Sequence, residues 1–152
     1  MANSVTVLVL SILTLVLGAG AETILPKFLG VGFPVLMASV LFMAARRPTV
    51  TVVLFALAAG AMEDALSSLP AATSASYFLA LAALVRWSGM PRAAALFAYP
   101  VYQAWIVVWT GRLGGGVFGH VLMALPVGVA TALAAEVVLG WAERKAAVDE
   151  EG

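Results

Sequence analysis

Apolar runs separated by short polar or turn-forming segments account for nearly the whole chain of 152 residues. A membrane-spanning helix needs about 20 mostly apolar residues, within a range of about 17–25, and six runs approach that length. We predict helices at residues 4–21, 33–45, 49–66, 72–87, 93–110 and 117–141. The pattern therefore predicts an all-α integral membrane bundle of about six transmembrane helices. The bundle forms a single domain, residues 1–145, followed by a short polar tail, residues 146–152.

Prolines, glycines and charged residues set the predicted boundaries. Residues 22–32 contain Glu22, Lys27, Pro26 and two glycines, which together predict a loop between the first two helices. Pro100 lies inside the fifth predicted helix and Pro126 inside the sixth, and a proline at such a position predicts a kink. The polar tail is predicted to be frayed.

The charged residues at the two ends of the stretch from Arg46 to Pro70 indicate how the helices are oriented in the membrane. It begins with two arginines and a proline, continues as an apolar run, and ends in the adjacent carboxylates Glu63 and Asp64. Basic residues of short loops favour the cytoplasmic side of a membrane. With six helices and a cytoplasmic N-terminus, the inner segments hold Arg46, Arg47, Arg86, Arg92, Arg144 and Lys145, whereas the outer loops hold only Lys27 and Arg112. Both termini are therefore predicted to be cytoplasmic, and the two carboxylates to lie at the outer end of the third helix.

Composition supports a membrane protein and narrows its chemistry. The chain is 63% hydrophobic and 11% charged, with a mean hydropathy of +1.06, whereas soluble domains are about a quarter charged. It has zero net charge and no basic stripe, so we predict no nucleic-acid binding. The chain has no cysteine and a single histidine, His120, so we predict neither a metal site nor a cofactor.

No arrangement of residues predicts an enzyme. Glu63 and Asp64 are neighbours on a helix, so their side chains point about 100° apart and do not converge on one atom. Ser67 and Ser68 have no histidine at a spacing that would activate them. Gly111 and Gly114–Gly116 lack the lysine and hydroxyl residue of a phosphate-binding loop and predict a turn.

Two helix faces combine small residues with a carboxylate. Ala56, Gly60 and Asp64 lie four residues apart on the third helix, beside Glu63. Small residues let helices approach closely in lipid, and an ionisable residue in a membrane is a candidate functional group. Glu63 and Asp64 either serve such a role or reach water at the outer surface and cap the next turn.

The sixth helix carries a similar face. Gly128, Ala132 and Glu136 lie four residues apart, about two turns before Arg144. A carboxylate facing lipid would be costly. Glu136 is therefore expected either to pair with one of the inner arginines Arg46, Arg86 and Arg92 or to contact a partner or substrate.

The order of these parts resembles the rod shape-determining protein MreD family. An uncharged first helix is followed by Pro34 at the start of the second helix, by a basic turn, and by a third helix ending in Gly60-x-x-x-Asp64, a segment common in that family. The last helix holds Pro126 and leads into the basic Arg144-Lys145 pair. The chain departs from the family pattern at two positions. Val35 follows the proline where the family usually has a polar residue, and Pro70 follows Leu69 where the family often has a glycine.

The resemblance implies a non-enzymatic scaffold in the bacterial inner membrane. Such a protein would bind an MreC-like single-pass partner and other membrane proteins of the cell-wall elongation machinery, and so help to maintain cell shape. The MreD family also resembles, in fold, the S components of energy-coupling-factor vitamin transporters. The alternative is therefore a small-solute binding or transport subunit, which predicts a polar outward cavity near Asp64, Tyr77, Tyr99 and Gln103.

Overall fold

The computed structural model describes residues 4–29, 32–111 and 117–151. Within these ranges the chain forms six α-helices and no β-strand, as the sequence predicts. The helices are α1 (Ser4–Leu29), α2 (Val35–Arg46), α3 (Thr49–Leu66), α4 (Thr73–Ser88), α5 (Pro91–Thr110) and α6 (Val117–Glu151). The bounds of α3 match the prediction, and those of α2, α4 and α5 differ from it by two residues or fewer.

The first and last helices are longer than predicted. Helix α1 continues through Pro26 to Leu29, so the loop predicted from residue 22 is wrong up to that point. A proline removes only its own N–H from the ladder, and in lipid the remaining backbone groups are best satisfied within a helix. Helix α6 continues to Glu151, so the prediction of a frayed tail is also wrong. Its last turns are rich in Ala, Glu, Lys and Arg, which are strong helix formers.

Four of the helices are long and apolar enough to cross a membrane. Among the described residues these candidate spans are Val5–Leu29, Thr49–Leu66, Pro91–Thr110 and Val121–Ala146. Helices α2 and α4 have 12 and 16 residues. At 1.5 Å per residue they rise roughly 18 and 24 Å, less than the roughly 30 Å of a hydrocarbon core.

The outer surface of the bundle is suited to a bilayer. Large apolar side chains stand exposed along several helices, among them Leu17 of α1 and Val137 of α6, each 68% exposed. A soluble protein seldom exposes contiguous apolar surface on this scale. The chain is therefore a multi-pass membrane protein surrounded by lipid.

The short helix α2 forms the centre of the bundle. It packs against every other helix, and its residues 36–44 are all buried. Leu36 and Val40 have no exposed surface. An apolar helix of this length is typical of a buried core helix, and the longer helices are arranged around it.

Candidate functional site

The N-termini of the two short helices lack a capping side chain of their own. The residue before α2 is Pro34 and the residue before α4 is Ala72, and neither makes a side-chain capping bond. A carboxylate from the preceding long helix takes this role in both cases. The Leu36 N–H donates to Glu22 Oε1 at 2.7 Å, and the Ser74 N–H donates to Asp64 Oδ1 at 2.7 Å. An anionic acceptor is favourable there because the helix dipole is positive at its N-terminus and free N–H groups are costly in lipid.

Asp64 is a buried structural residue. It is 5% exposed, and its Oδ2 has no hydrogen-bond partner among the described residues. The helix that it caps is also fastened to α5, because the Ser74 and Tyr102 hydroxyls are hydrogen-bonded and the Trp105 indole N–H donates to the Thr73 carbonyl at 3.0 Å. Of the two alternatives for this carboxylate, the structure favours capping, although Asp64 caps from a buried position and not from outer-surface water.

The small-residue face of α3 is covered by α4 of the same chain. Ala56 has no exposed surface, and a Cβ added to Gly60 would lie 2.5 Å from the Ala75 nitrogen. The corresponding face of α6 meets α5, since a Cβ on Gly128 would lie 2.6 Å from the Tyr99 Cβ. Intrachain contacts therefore occupy the glycine positions of both small-residue faces. Ala132 is half-buried and packs against the core.

Glu63, the neighbour of Asp64, bonds to the residue that follows its own helix. It accepts a hydrogen bond from the Ser67 hydroxyl at 3.0 Å and lines a cavity of about 510 Å³. The cavity lies among helices α1 to α5, and Glu22 and Lys27 of α1 line it as well. Glu22 and Glu63, from two different helices, therefore line the same cavity.

The remaining walls of this cavity are aromatic and polar. They include Phe33, Phe78, Tyr99, Tyr102 and Gln103. Of the four residues that the sequence analysis named for a polar cavity, Tyr99 and Gln103 line this one, while Asp64 and Tyr77 do not. Sequence reasoning missed Glu22, which was assigned to a loop. The signal that could have found it is Pro34, which starts a buried helix without supplying a cap.

The basic residues gather at the opposite end of the bundle, which we call the basic end. Glu143 pairs with Arg47 and, at 3.5 Å, with Arg46. Arg86 donates to the Arg47 carbonyl at 2.7 Å and so satisfies the C-terminus of α2, where the helix dipole is negative. Helix α1 therefore supplies the hydrogen-bond acceptor at the N-terminus of α2, and helix α4 supplies a hydrogen-bond donor at its C-terminus.

The expected ion pair of Glu136 forms with Arg92. The closest atoms, Arg92 Nη2 and Glu136 Oε1, are 3.9 Å apart, and the two side chains are 88% and 42% exposed. Neither Arg46 nor Arg86 pairs with Glu136 among the described residues. Lys145 lies over the Trp141 ring, 5.2 Å from its centroid, and Arg144 is exposed.

A shallow groove of about 420 Å³ runs between α1 and α6, with α2 as its floor. Both helices pack on α2 but make little contact with each other. Small side chains line part of the groove, among them Gly18, Ala134, Ala135 and Ala142, and larger apolar side chains such as Leu17 and Leu139 line the rest. Arg47 lines its basic end, and the Arg47 Nε is buried without a hydrogen-bond partner among the described residues.

Some residues considered in the sequence lie outside the described part. The structure does not describe Arg112, Gly114–Gly116 or the side chain of His120. Gly111 ends α5 with φ of 64°, a left-handed conformation that glycine adopts without strain, and this supports the predicted turn.

The geometry defines a helical multi-pass membrane protein with a polar cavity at one end and a small-residue groove along its side. No family model, no curated protein and no solved structure matches the chain.

Proposed function

We propose that this chain is a non-enzymatic membrane scaffold that binds one membrane-spanning helix of a partner protein. The observation that carries the proposal is the groove between α1 and α6. Its small side chains allow another helix to approach closely, which is how helices associate in lipid. The partner that the MreD resemblance implies, an MreC-like single-pass protein of the cell-wall elongation machinery, offers a helix of this kind.

The basic end of the groove supports a specific fit. Arg47 and Glu143 line this end and form an ion pair. A polar group near the end of the partner helix would contact this pair. Polar contacts between helices in a membrane contribute roughly 0.6–2 kcal/mol each, so such a contact would add specificity to packing along the small residues.

The proposed setting is the bacterial inner membrane. The clustering of Arg46, Arg47, Arg86 and Arg92 at one end supports a cytoplasmic position for that end, because basic residues favour the inner side. Both termini would then be cytoplasmic, and the cavity would open towards the outside. In this arrangement α2 and α4 complete a set of six membrane helices.

Filling the groove tests the scaffold proposal. Ala135 of α6 lines the groove, whereas Val137 of the same helix lines no described pocket and is 68% exposed. Tagged wild type, Ala135→Phe and Val137→Phe would be purified from detergent-solubilised native membranes and their associated proteins identified. We expect a single-pass membrane protein with wild type and Val137→Phe, and its loss with Ala135→Phe. Equal recovery with both variants would refute the groove as the binding site.

The cavity supports a second candidate function, a small-solute binding or transport subunit. A site of this volume with a few converging polar groups is typical of small-molecule binding. Co-purification of an ATPase module in place of a single-pass protein in the same experiment would favour this function.

A further inference from the structure

A second groove, which we call the arginine groove, lies on the side of the bundle where α5 and α6 pack together. It has a volume of about 420 Å³ and is lined by residues of α2, α5 and α6. Leu96 of α5 and Leu133 of α6 line it and are 44% and 57% exposed, and buried residues of α2 lie at its base. The arginine groove therefore opens towards the lipid that surrounds the bundle.

The charged residues of the arginine groove are Arg46, Arg92 and Glu136, and they lie at the basic end. Glu143 is shared by Arg46 and Arg47, so among the described residues one positive charge of this cluster has no carboxylate of its own. The pair of Arg92 and Glu136 is exposed, with its closest atoms 3.9 Å apart, so it holds Arg92 only weakly. The charged end of the groove therefore has an excess of positive charge.

The start of α5 adds to this positive end. Pro91, Arg92 and Ala93 line the groove, and α5 begins there without a capping side chain. The N-terminus of a helix carries a partial positive charge that favours phosphate groups. Arginines at the ends of membrane helices extend their charge to the depth of the lipid headgroups. The arginine groove thus joins apolar walls to a positively charged end at the membrane surface.

We propose that the arginine groove binds an anionic phospholipid. An acyl chain lies against Leu96 and Leu133, and the headgroup phosphate contacts Arg46 and Arg92. Basic pockets between membrane helices recognise anionic headgroups in this way. A free phosphate would use only the charged end and leave the apolar walls without a ligand. The proposal is separate from the scaffold function, because the groove assigned to a partner helix lies between α1 and α6.

Native mass spectrometry of the full chain in detergent would measure lipid binding. The probes are phosphatidylglycerol, phosphatidylcholine with the same acyl chains and no net charge, and glycerol phosphate, which has no chains. The variant Arg46→Gln/Arg92→Gln removes two charges from the groove. Its matched control, Arg144→Gln/Lys145→Gln, removes two charges from the same end of the bundle at residues that do not line the groove. Circular dichroism would check that both are folded, and Arg92→Gln alone, at a side chain 88% exposed, replaces the double variant if it is not.

We expect the wild type to bind phosphatidylglycerol at least about tenfold more tightly than phosphatidylcholine, since each basic residue near an anionic lipid raises affinity about fivefold. Arg46→Gln/Arg92→Gln should remove most of this preference, Arg92→Gln alone should reduce it several-fold, and the control should keep it. Equal losses in the two double variants would overturn the arginine groove as the site, because charge anywhere at the basic end would then suffice.

Three other outcomes would also overturn the proposal. The first is equal affinity of the wild type for the two lipids. The second is binding of glycerol phosphate as tightly as phosphatidylglycerol, which would assign the site to a free phosphate. The third is loss of a co-purifying membrane protein from Arg46→Gln/Arg92→Gln while the lipid preference stays unchanged, which would assign the groove to a protein partner.

Discussion

Gly60→Ala tests whether the crossing of α3 and α4 depends on the absence of a side chain. The new Cβ would lie 2.5 Å from the Ala75 nitrogen and 2.9 Å from the Ser74 carbonyl carbon. These are backbone atoms of α4, so no side-chain rotation relieves the overlap and the helices must separate. Overpacking of this kind costs about 1–3 kcal/mol. Through most of that range the cost exceeds the gain of about 1 kcal/mol that alanine brings in helix propensity. Separation of the helices would also disturb the contacts of the buried Ala56.

Thermal unfolding followed by tryptophan fluorescence in detergent would measure this loss. Gly20→Ala is the matched control, because a Cβ at Gly20 of α1 would meet nothing within 4 Å. We expect Gly20→Ala to unfold at or slightly above the wild-type temperature and Gly60→Ala to unfold well below it. If the two variants had the same midpoint, the close approach of α3 and α4 would not hold in the folded protein.

Substitutions at three further residues test the polar contacts at the two ends of the bundle, each by the same thermal measurement. Glu22→Leu should destabilise by about 1–3 kcal/mol, because it leaves the buried Leu36 N–H without an acceptor, whereas Glu22→Gln keeps an oxygen there; equal losses would contradict the capping role. Arg86→Met should cost about 1 kcal/mol through the lost bond at the C-terminus of α2, and an unchanged midpoint would count against that contact. Arg92→Ala should cost less than about 1 kcal/mol, since its pair with Glu136 is exposed; a larger loss would show that the pair is more buried than the structure indicates.

The sequence predicts where most helices lie because hydrophobic length is a local property. It predicts the bounds of α3 correctly, since a basic turn precedes that helix and serines and a proline follow it. It fails at the end of α1, where Glu22, Pro26 and Lys27 have the composition of a loop but the backbone stays helical. Within lipid, backbone hydrogen bonding outweighs the local cost of one proline.

The site is less predictable because its contacts join distant parts of the chain. The spacing of Ala56, Gly60 and Asp64 correctly identifies a face for close helix packing. It does not identify the occupant, since a face that fits α4 has the same small residues as a face that fits a partner. The contact between Glu22 and Leu36 spans 14 residues and depends on α2 being buried. Burial of α2 follows from the arrangement of the other five helices, which no local pattern contains.

The three carboxylates at the cavity end differ in the hydrogen bonds that they make within the fold. Asp64 is buried and caps α4, so the Gly60-x-x-x-Asp64 segment builds the crossing of α3 and α4. Glu22 accepts a hydrogen bond from the N-terminus of α2 and also lines the cavity. Among the described residues, Glu63 accepts a hydrogen bond only from the exposed Ser67 hydroxyl, and it caps no helix terminus. A carboxylate that the fold does not need is costly in a membrane unless a ligand or partner uses it, so the functional charge at this end is expected to be that of Glu63.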